Sequence, residues 1–315
     1  RKDIMESRKP YLATLPGLIL GCLVCCALWG SAFPCIKIGY ELFGIPAHDS
    51  ASQLLFAGLR FTLAGTLVIV GMSTAQRRPL VPQARDIKPI CILSLFQTIG
   101  QYFFFYLGLS HASAMSSSII EASANFLAIL FAALAFRTEK LDTAKVLGCM
   151  LGFAGVALVN LSGADGTFGF TLDGEGFILA STVAGALSTC LIGIFSREHD
   201  GVLLAGWQFL VGGVVLTAIG FLMGGTLSPT EIAPAIALII YMALISAVAY
   251  SLWSRLLAVN PVSRVSVFGF MTPVFGVVLS ALLLGEGAGT SPVTVIVALL
   301  LVCAGIIIVN RPKKA

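Results

Sequence analysis

A succession of apolar runs, each about 20 residues long, constrains this chain most, because a helix of that length crosses a bilayer. Charged residues lie mostly between the runs and make up only 11% of the 315 residues, against about a quarter in soluble domains. The runs lack the regular polar–apolar alternation of a β-barrel. The pattern therefore predicts an all-α polytopic membrane protein with ten transmembrane helices. The predicted spans are Thr14–Ile38, Ser52–Met72, Lys88–Leu109, Ser113–Phe136, Thr143–Leu161, Gly176–Phe195, Val202–Gly224, Ala233–Leu257, Val262–Leu284 and Pro292–Asn310.

Lysine and arginine are distributed unevenly among the segments that connect these spans. Of the 19 basic residues, all but Lys37 and Arg60 lie in alternate connecting segments or at the span ends that adjoin them, beginning with the N-terminal segment. The other segments hold acidic residues, among them Asp173 and Glu231. Because basic loops remain on the cytoplasmic side of a membrane, both termini are predicted to be cytoplasmic. The expected location is the inner or plasma membrane, with the lipid bilayer as solvent.

The second half of the sequence repeats the first. The segment FRTEK around Glu139 corresponds to LLGEG around Glu286, and two further matching segments end at Asn160 and Asn310. Each half then holds five spans, and because five is odd the second half must be inverted relative to the first. Inverted repeats are a transporter architecture in which the substrate site lies at the repeat interface. The predicted repeats are residues 1–161 and 162–315.

Several segments, taken together, resemble one protein family. These segments are Ala27–Gly39, Ala57–Gly65, Gly206–Gly213 and Thr272–Glu286. Each is similar to part of the EamA-type transporters of the drug/metabolite transporter superfamily. The resemblance covers essentially the whole chain and implies a ten-helix, inverted-repeat secondary transporter, usually an exporter of metabolites, amino acids or drugs. The chain departs from the family in its first repeat. Phe126 stands where the second repeat has Pro273, and Glu121 occupies a place that the family usually fills with an apolar residue.

Two ionisable side chains inside predicted spans are the principal candidates for a binding site. A charge in hydrocarbon costs several kcal/mol unless it has a partner, a proton or water. Arg60 and Glu121 each lie about 12 Å from the outer end of their spans at 1.5 Å per residue, and Trp29 and Gln101 lie near the same level. These groups predict a small-ligand site with an aromatic wall and both signs of charge. The alternative is a structural ion pair between Arg60 and Glu121.

Further candidates in the first half surround Glu121 or lie near the outer side. Ser117, Ser118 and Asn125 are three to four residues from Glu121, which places them on the same helical face. Lys37 lies at the outer end of the first span, where its side chain either reaches the cavity or extends to the membrane interface.

The second half offers neutral candidates closer to the inner side. Trp207, Gln208 and Tyr250 combine aromatic surface with hydrogen-bonding groups and lie inside predicted spans. An aromatic residue in a span is more often a packing residue than a ligand contact. As a set with Ser188, Trp253 and Ser266, they are predicted to line the inward-facing part of a substrate path.

Other kinds of chemistry find little support in the sequence. All eight cysteines lie in apolar runs; Cys22, Cys25 and Cys26 resemble a metal motif only superficially, and no other Cys or His is near them in sequence. They are predicted to be small core- or lipid-facing residues, with no metal and no cofactor. A phosphate-binding loop is absent, which argues against ATP-driven pumping. The basic residues are topological signals, so no nucleic-acid partner is expected.

The resulting prediction is a non-enzymatic secondary transporter that acts as a monomer. We expect it to export small polar or amphipathic metabolites, amino-acid-like solutes above all, by alternating access. A facilitative uniporter and a multidrug exporter are alternatives within transport, and the sequence does not separate proton coupling from facilitation. A membrane receptor or enzyme with a buried pocket is the alternative from another class.

Overall fold

The computed structural model describes residues 10–112, 114–161, 171–284 and 291–311, and these residues form helices and loops without a β-strand. Short π-helical segments (Ser94–Gly100 and Phe131–Ala135) and a 3₁₀ turn (Val267–Phe270) join or extend some of the α-helices. The α-helices are α1 Leu15–Leu42, α2 Ser50–Gln76, α3 Ala84–Leu93, α4 Gln101–Leu109, α5 Ala114–Leu130, α6 Thr143–Leu161, α7 Glu175–Phe195, α8 Gly201–Leu222, α9 Ile232–Val259, α10 Val262–Ser266, α11 Met271–Leu284 and α12 Pro292–Asn310.

Within the described ranges, eight helical rods are long and apolar enough to cross a membrane. Two of these rods are composite: α3 and α4 with the π segment between them, and α10 and α11 with the 3₁₀ turn. The fourth and fifth predicted spans are shorter apolar helices, Ile119–Ala135 and Thr143–Leu158. The all-helical prediction is confirmed for the described residues, with eight helices of spanning length.

Polar side chains fix where several helices begin. The Thr14 hydroxyl accepts a hydrogen bond from the Gly17 amide at 3.3 Å, and the Asp49 carboxylate accepts one from the Ser52 amide at 3.0 Å. Asp200 accepts from the amide of Val202 at 2.8 Å. These side chains satisfy amide groups that the first turn of a helix leaves without a partner.

Contacts between loops place the chain reversals at two ends of the helical bundle. At one end the Asn260 amide donates to the Leu12 carbonyl at 2.9 Å, and His199 meets Asp86 at 2.6 Å between Nδ1 and Oδ1. This end carries the loops rich in lysine and arginine, and we call it the basic end. At the opposite, acidic end, the Ser228 amide donates to the Phe43 carbonyl at 3.0 Å.

Helices α2 and α8 pack with their backbones in direct contact. Glycines recur every seven residues on both helices. A Cβ atom added to four of them would collide with the backbone of the neighbouring helix: Gly58, Gly65, Gly213 and Gly220. A Cβ at the fifth, Gly206, would lie 3.0 Å from the Val68 side chain. A Cβ at Gly213 would lie 2.3 Å from the Thr62 backbone nitrogen. Small residues permit this approach in membrane bundles, where packing replaces the hydrophobic effect between helices. The α2–α8 contact joins the two halves of the chain.

A second close contact joins α6 to α12. A Cβ at Gly148 would lie 2.7 Å from the Gly305 carbonyl oxygen, and Gly152 packs against the Phe270 ring. Gly148 and Gly152 therefore permit the close approach of α6 to its neighbours. Gly224, four residues after Gly220, has no such packing role, because it has a φ of +88° in the turn after α8 and nothing lies within 4 Å of its Cβ position.

The three clustered cysteines of α1 are packing residues. Cys22, Cys25 and Cys26 are all fully buried. The Cys25 thiol donates to the Ala249 carbonyl at 3.3 Å and the Cys26 thiol to the Phe268 carbonyl at 3.2 Å. They hold α1 against α9 and the 3₁₀ turn, as small buried hydrophobes with a weak donor do.

Candidate functional site

Arg60 lies on α2 with only 4% of its surface exposed. Its Cζ atom is 4.4 Å from the centroid of the Phe61 ring and 5.7 Å from that of Tyr102, both within cation–π range. Its Nε atom is buried and has no hydrogen-bond partner among the described residues. Taking a guanidinium out of water costs several kcal/mol, and aromatic rings offset only part of that. The site therefore holds a cation whose hydrogen-bonding capacity is incompletely used.

Four tyrosines surround this cation. Tyr40, Tyr102, Tyr106 and Tyr250 all lie within electrostatic range of Arg60. The Tyr102 and Tyr250 hydroxyl oxygens are 3.3 Å apart and share a hydrogen bond. We call these four residues the tyrosine cluster. It brings together α1, α4 and α9 around α2.

Glu121 lies on α5, half-buried, and accepts a hydrogen bond from the Ser181 hydroxyl of α7 at 3.1 Å. None of the ion pairs within the described ranges joins Glu121 to Arg60, so the predicted alternative of a direct structural pair is not formed. Tyr102 and Tyr250 lie within electrostatic range of both charges. The two opposite charges thus face one region of the bundle without neutralising each other by contact.

An aromatic wall adjoins the tyrosine cluster. Trp29 of α1 packs edge-on against Tyr250 and Trp253, with ring centroids 5.0 and 4.9 Å apart. Phe209 of α8 stacks on Phe61 at 5.2 Å and meets Tyr250 at 4.8 Å. The indole Nε1 of Trp29 is buried and has no partner in the described part of the chain. Trp29 and Tyr250, predicted separately from the two halves of the sequence, are therefore direct neighbours.

The remaining candidates from the first half lie at separate places. The Gln101 side chain faces Gly185 of α7, where a Cβ would lie 3.1 Å from the amide carbon. Asn125 packs against Gly269 and donates weakly to the Ala122 carbonyl at 3.4 Å. Ser117 is buried, and its hydroxyl has no partner within the described ranges. Two further candidates are Lys37, whose side chain is exposed, and Ser118, whose side chain lies outside the described residues.

Trp207 and Gln208 of α8 have structural partners. The Trp207 indole donates to the Leu80 carbonyl at 2.8 Å and so holds the loop after α2 at the basic end. Gln208 is 1% exposed, and its amide oxygen accepts from the Thr98 hydroxyl at 2.6 Å. These contacts join α8 to the Leu80 loop and to the π segment Ser94–Gly100. Neither residue contacts the tyrosine cluster through a hydrogen bond that the described structure contains.

Sequence reasoning missed Ser181 and three members of the tyrosine cluster. Tyr102 and Tyr106 are four residues apart on α4, a spacing that places both on one face of the helix. Tyrosine is enriched at membrane interfaces, so a pair of tyrosines inside a predicted span is unusual. That pair was the sequence signal that could have identified Tyr102 and Tyr106. Ser181 gave none, because a hydroxyl in a span commonly bonds its own backbone.

Buried charges and aromatic residues inside an apolar helical bundle define a multi-pass membrane protein with an internal polar site. The model of the EamA-like transporter family matches residues 15–161 and again residues 172–311. The chain belongs to this family.

Relatives across the family are similar over most of this chain. The uncharacterized transporter YvbV of Bacillus subtilis is 28% identical over 306 residues, covering 96% of this chain and 93% of that protein. A probable terminal-alkyne amino-acid exporter of Streptantibioticus cattleyicolor is 26% identical, with 90% of each chain covered. A probable amino-acid metabolite efflux pump of Salmonella typhimurium is 26% identical, covering 84% of this chain and 86% of that protein.

A solved structure, titled only as the crystal structure of a protein, has the same fold. It superposes with a TM-score of 0.74 over 94% of this chain and 97% of that one, at 19% sequence identity. At that identity the likeness concerns the fold alone.

Proposed function

We propose that this transporter is a secondary exporter of small amino-acid-like solutes that works by alternating access. Its architecture would be ten transmembrane helices in two inverted five-helix repeats, residues 1–161 and 162–315, with both termini cytoplasmic. Support comes from the two separate matches to the family model and from the gathering of basic loops at one end of the bundle. We expect the protein to act as a monomer.

The observation that carries the substrate class is the presence of two opposite charges, Arg60 buried and Glu121 half-buried, that do not pair with each other. Arg60 and Glu121 both act on the Tyr102–Tyr250 hydroxyl pair, and the aromatic wall adjoins it. A zwitterion with an apolar side chain would satisfy both charges and contact the wall. Two relatives named for the export of amino acids or their metabolites are in keeping with this class.

The other sequence candidates take secondary places in this proposal. Trp29 would form part of the wall, and Gln101 and Asn125 would shape the region between α4, α5 and α7. Ser117 would offer a hydroxyl to a ligand or to Glu121. The roles first expected of Lys37, Ser118, Trp207 and Gln208 rest on the sequence alone, and the contacts of Trp207 and Gln208 favour packing.

Transport by purified protein in liposomes tests the proposal. Uptake of L-phenylalanine should exceed that of protein-free liposomes, and Glu121→Gln should lower the initial rate about tenfold or more, because a buried charge-assisted contact contributes about 1.5–3 kcal/mol. Glu198→Gln, which changes an exposed carboxylate at the basic end, should transport at the wild-type rate. A wild-type rate in a folded Glu121→Gln protein would remove Glu121 from the mechanism.

Proton-coupled antiport is a second candidate within this function. Its support is the partner of Glu121, which is the neutral Ser181 hydroxyl rather than a cation. A carboxylate without a cationic partner can release or accept a proton as a substrate leaves or enters. The dependence of L-phenylalanine flux on an imposed pH gradient separates this candidate from facilitated transport.

A further inference from the structure

Three buried hydrogen-bonding groups beside α2 lack partners. They are the Nε of Arg60 and the hydroxyls of Tyr40 and Tyr106, none of which makes a hydrogen bond within the described residues. An unsatisfied buried polar group costs about 1–3 kcal/mol, and native structures contain few of them. Three such groups in one place point to a hydrogen-bonding partner from outside the described residues.

The three groups are neighbours, contributed by three helices. Tyr40 of α1 and Tyr106 of α4 lie within electrostatic range of each other and of Arg60 on α2. The Tyr40 and Tyr106 hydroxyls lie close enough to interact with each other, but neither forms a hydrogen bond of normal geometry within the described residues. Tyr106 is only 1% exposed and Arg60 only 4%. Tight packing therefore holds Arg60 and Tyr106 in place.

The chemistry of the set is that of an anion receptor. A guanidinium offers only donors, in a planar fork that matches a carboxylate, and each phenol can donate one more hydrogen bond. The rings of Phe61 and Tyr102 lie against the Arg60 guanidinium. Arg60 is the cation that acts on all four members of the tyrosine cluster. A single cation suits a monoanion rather than a phosphate dianion.

We propose that Arg60, Tyr40 and Tyr106 form a carboxylate-binding subsite, and that Glu121 with Ser181 binds the ammonium group of the same solute. This inference rests on the proposed function and adds to it the orientation of the bound solute. The carboxylate end of the solute lies between α1, α2 and α4, and the amino end lies between α5 and α7. Tyr102 and Tyr250, which lie in range of both charges, separate the two subsites.

Binding of three related probes to the purified protein tests this assignment. L-phenylalanine carries both charged groups, 3-phenylpropionate only the carboxylate and 2-phenylethylamine only the amine. Arg60→Met should weaken L-phenylalanine and 3-phenylpropionate about 30-fold and change 2-phenylethylamine less than about twofold. Tyr106→Phe, which keeps the ring and removes one donor, should weaken the same two probes about fivefold. Glu121→Gln should show the reverse preference, weakening the two amines and sparing 3-phenylpropionate.

The pattern across probes decides the outcome, because a variant that merely loosens the fold weakens all three. Equal weakening of the three probes by both Arg60→Met and Tyr106→Phe would overturn the subsite, as would undetectable binding of 3-phenylpropionate to the wild-type protein. Transport is scored separately. If the probes follow the expected pattern but L-phenylalanine does not cross the liposome membrane, the subsite stands and the proposed function fails. If L-phenylalanine is transported while Arg60→Met spares 3-phenylpropionate, the function stands and the subsite fails.

Discussion

Replacement of Gly58 by alanine is expected to destabilise the folded protein by about 1–3 kcal/mol, because α2 and α8 leave no room for a methyl group. The added Cβ would lie 2.3 Å from the backbone nitrogen of Thr217 and 2.8 Å from its Cα. Backbone atoms cannot rotate away as a side chain can. The two helices would therefore have to separate, and the neighbouring contact between Gly213 and Thr62 would loosen with them.

Gly71 provides a matched control on the same helix. Nothing lies within 4 Å of the position that its Cβ would occupy, so Gly71→Ala gains helix propensity of about 1 kcal/mol without a collision. Thermal unfolding of the two variants in detergent compares the effects directly. Gly58→Ala should melt well below the wild-type protein, and Gly71→Ala at or above it. Equal melting temperatures for the two variants would show that the α2–α8 contact adjusts freely.

Glu139→Ala is expected to destabilise the protein by about 3–5 kcal/mol, because it leaves a buried cation without its partner. The Glu139 carboxylate accepts from Lys145 Nζ at 2.7 Å and from the Ser263 amide at 3.1 Å, and the Ser263 hydroxyl also donates to it. The side chains of Glu139 and Lys145 are only 8% and 13% exposed. The loss therefore leaves the Ser263 amide without its acceptor and the Lys145 ammonium without a counter-charge, with only the Lys140 carbonyl at 2.7 Å as its acceptor.

Glu139 also connects the two halves of the chain at the basic end, since Ser263 lies in the first turn of α10. Glu139→Gln keeps an acceptor for Ser263 but loses the charge, so its effect should lie between those of wild type and Glu139→Ala. Glu198→Ala, at an exposed position of the same end, should change stability by less than about 0.5 kcal/mol. Unfolding midpoints of the three variants provide the measurement. A Glu139→Ala protein as stable as Glu198→Ala would contradict a stabilising role for this contact.

The outline of the fold could be predicted because hydrophobic runs and loop charges are local properties of a sequence. Apolar length predicted spans whose ends agree with the helices to within a few residues, although α1 continues to Leu42 rather than ending at Ile38. The π segments Ser94–Gly100 and Phe131–Ala135 were not predicted. A π segment depends on a shift of one residue in backbone hydrogen bonding, which tertiary packing selects and composition does not indicate.

The candidate site could be predicted only where a charged residue lay inside an apolar predicted span. Arg60 and Glu121 met that condition, but their partners depend on the rotation and tilt of each helix, which the sequence does not give. Hence Ser181 rather than Arg60 meets Glu121, and tyrosines rather than a carboxylate surround Arg60. Trp207 combines aromatic surface with a hydrogen-bond donor, as a cavity-lining residue does, yet its indole donates to the Leu80 carbonyl in the loop after α2.

Counterflow of L-phenylalanine in proteoliposomes tests the central claim, that these charges lie on the path of a carrier. Liposomes are preloaded with unlabelled L-phenylalanine and then diluted into a trace of labelled solute. A carrier whose site alternates between the two sides accumulates the label transiently above its equilibrium level. We expect this overshoot with the wild-type protein and none with Glu121→Gln. Binding of L-phenylalanine by a wild-type protein that gives no overshoot would contradict transport and favour a receptor.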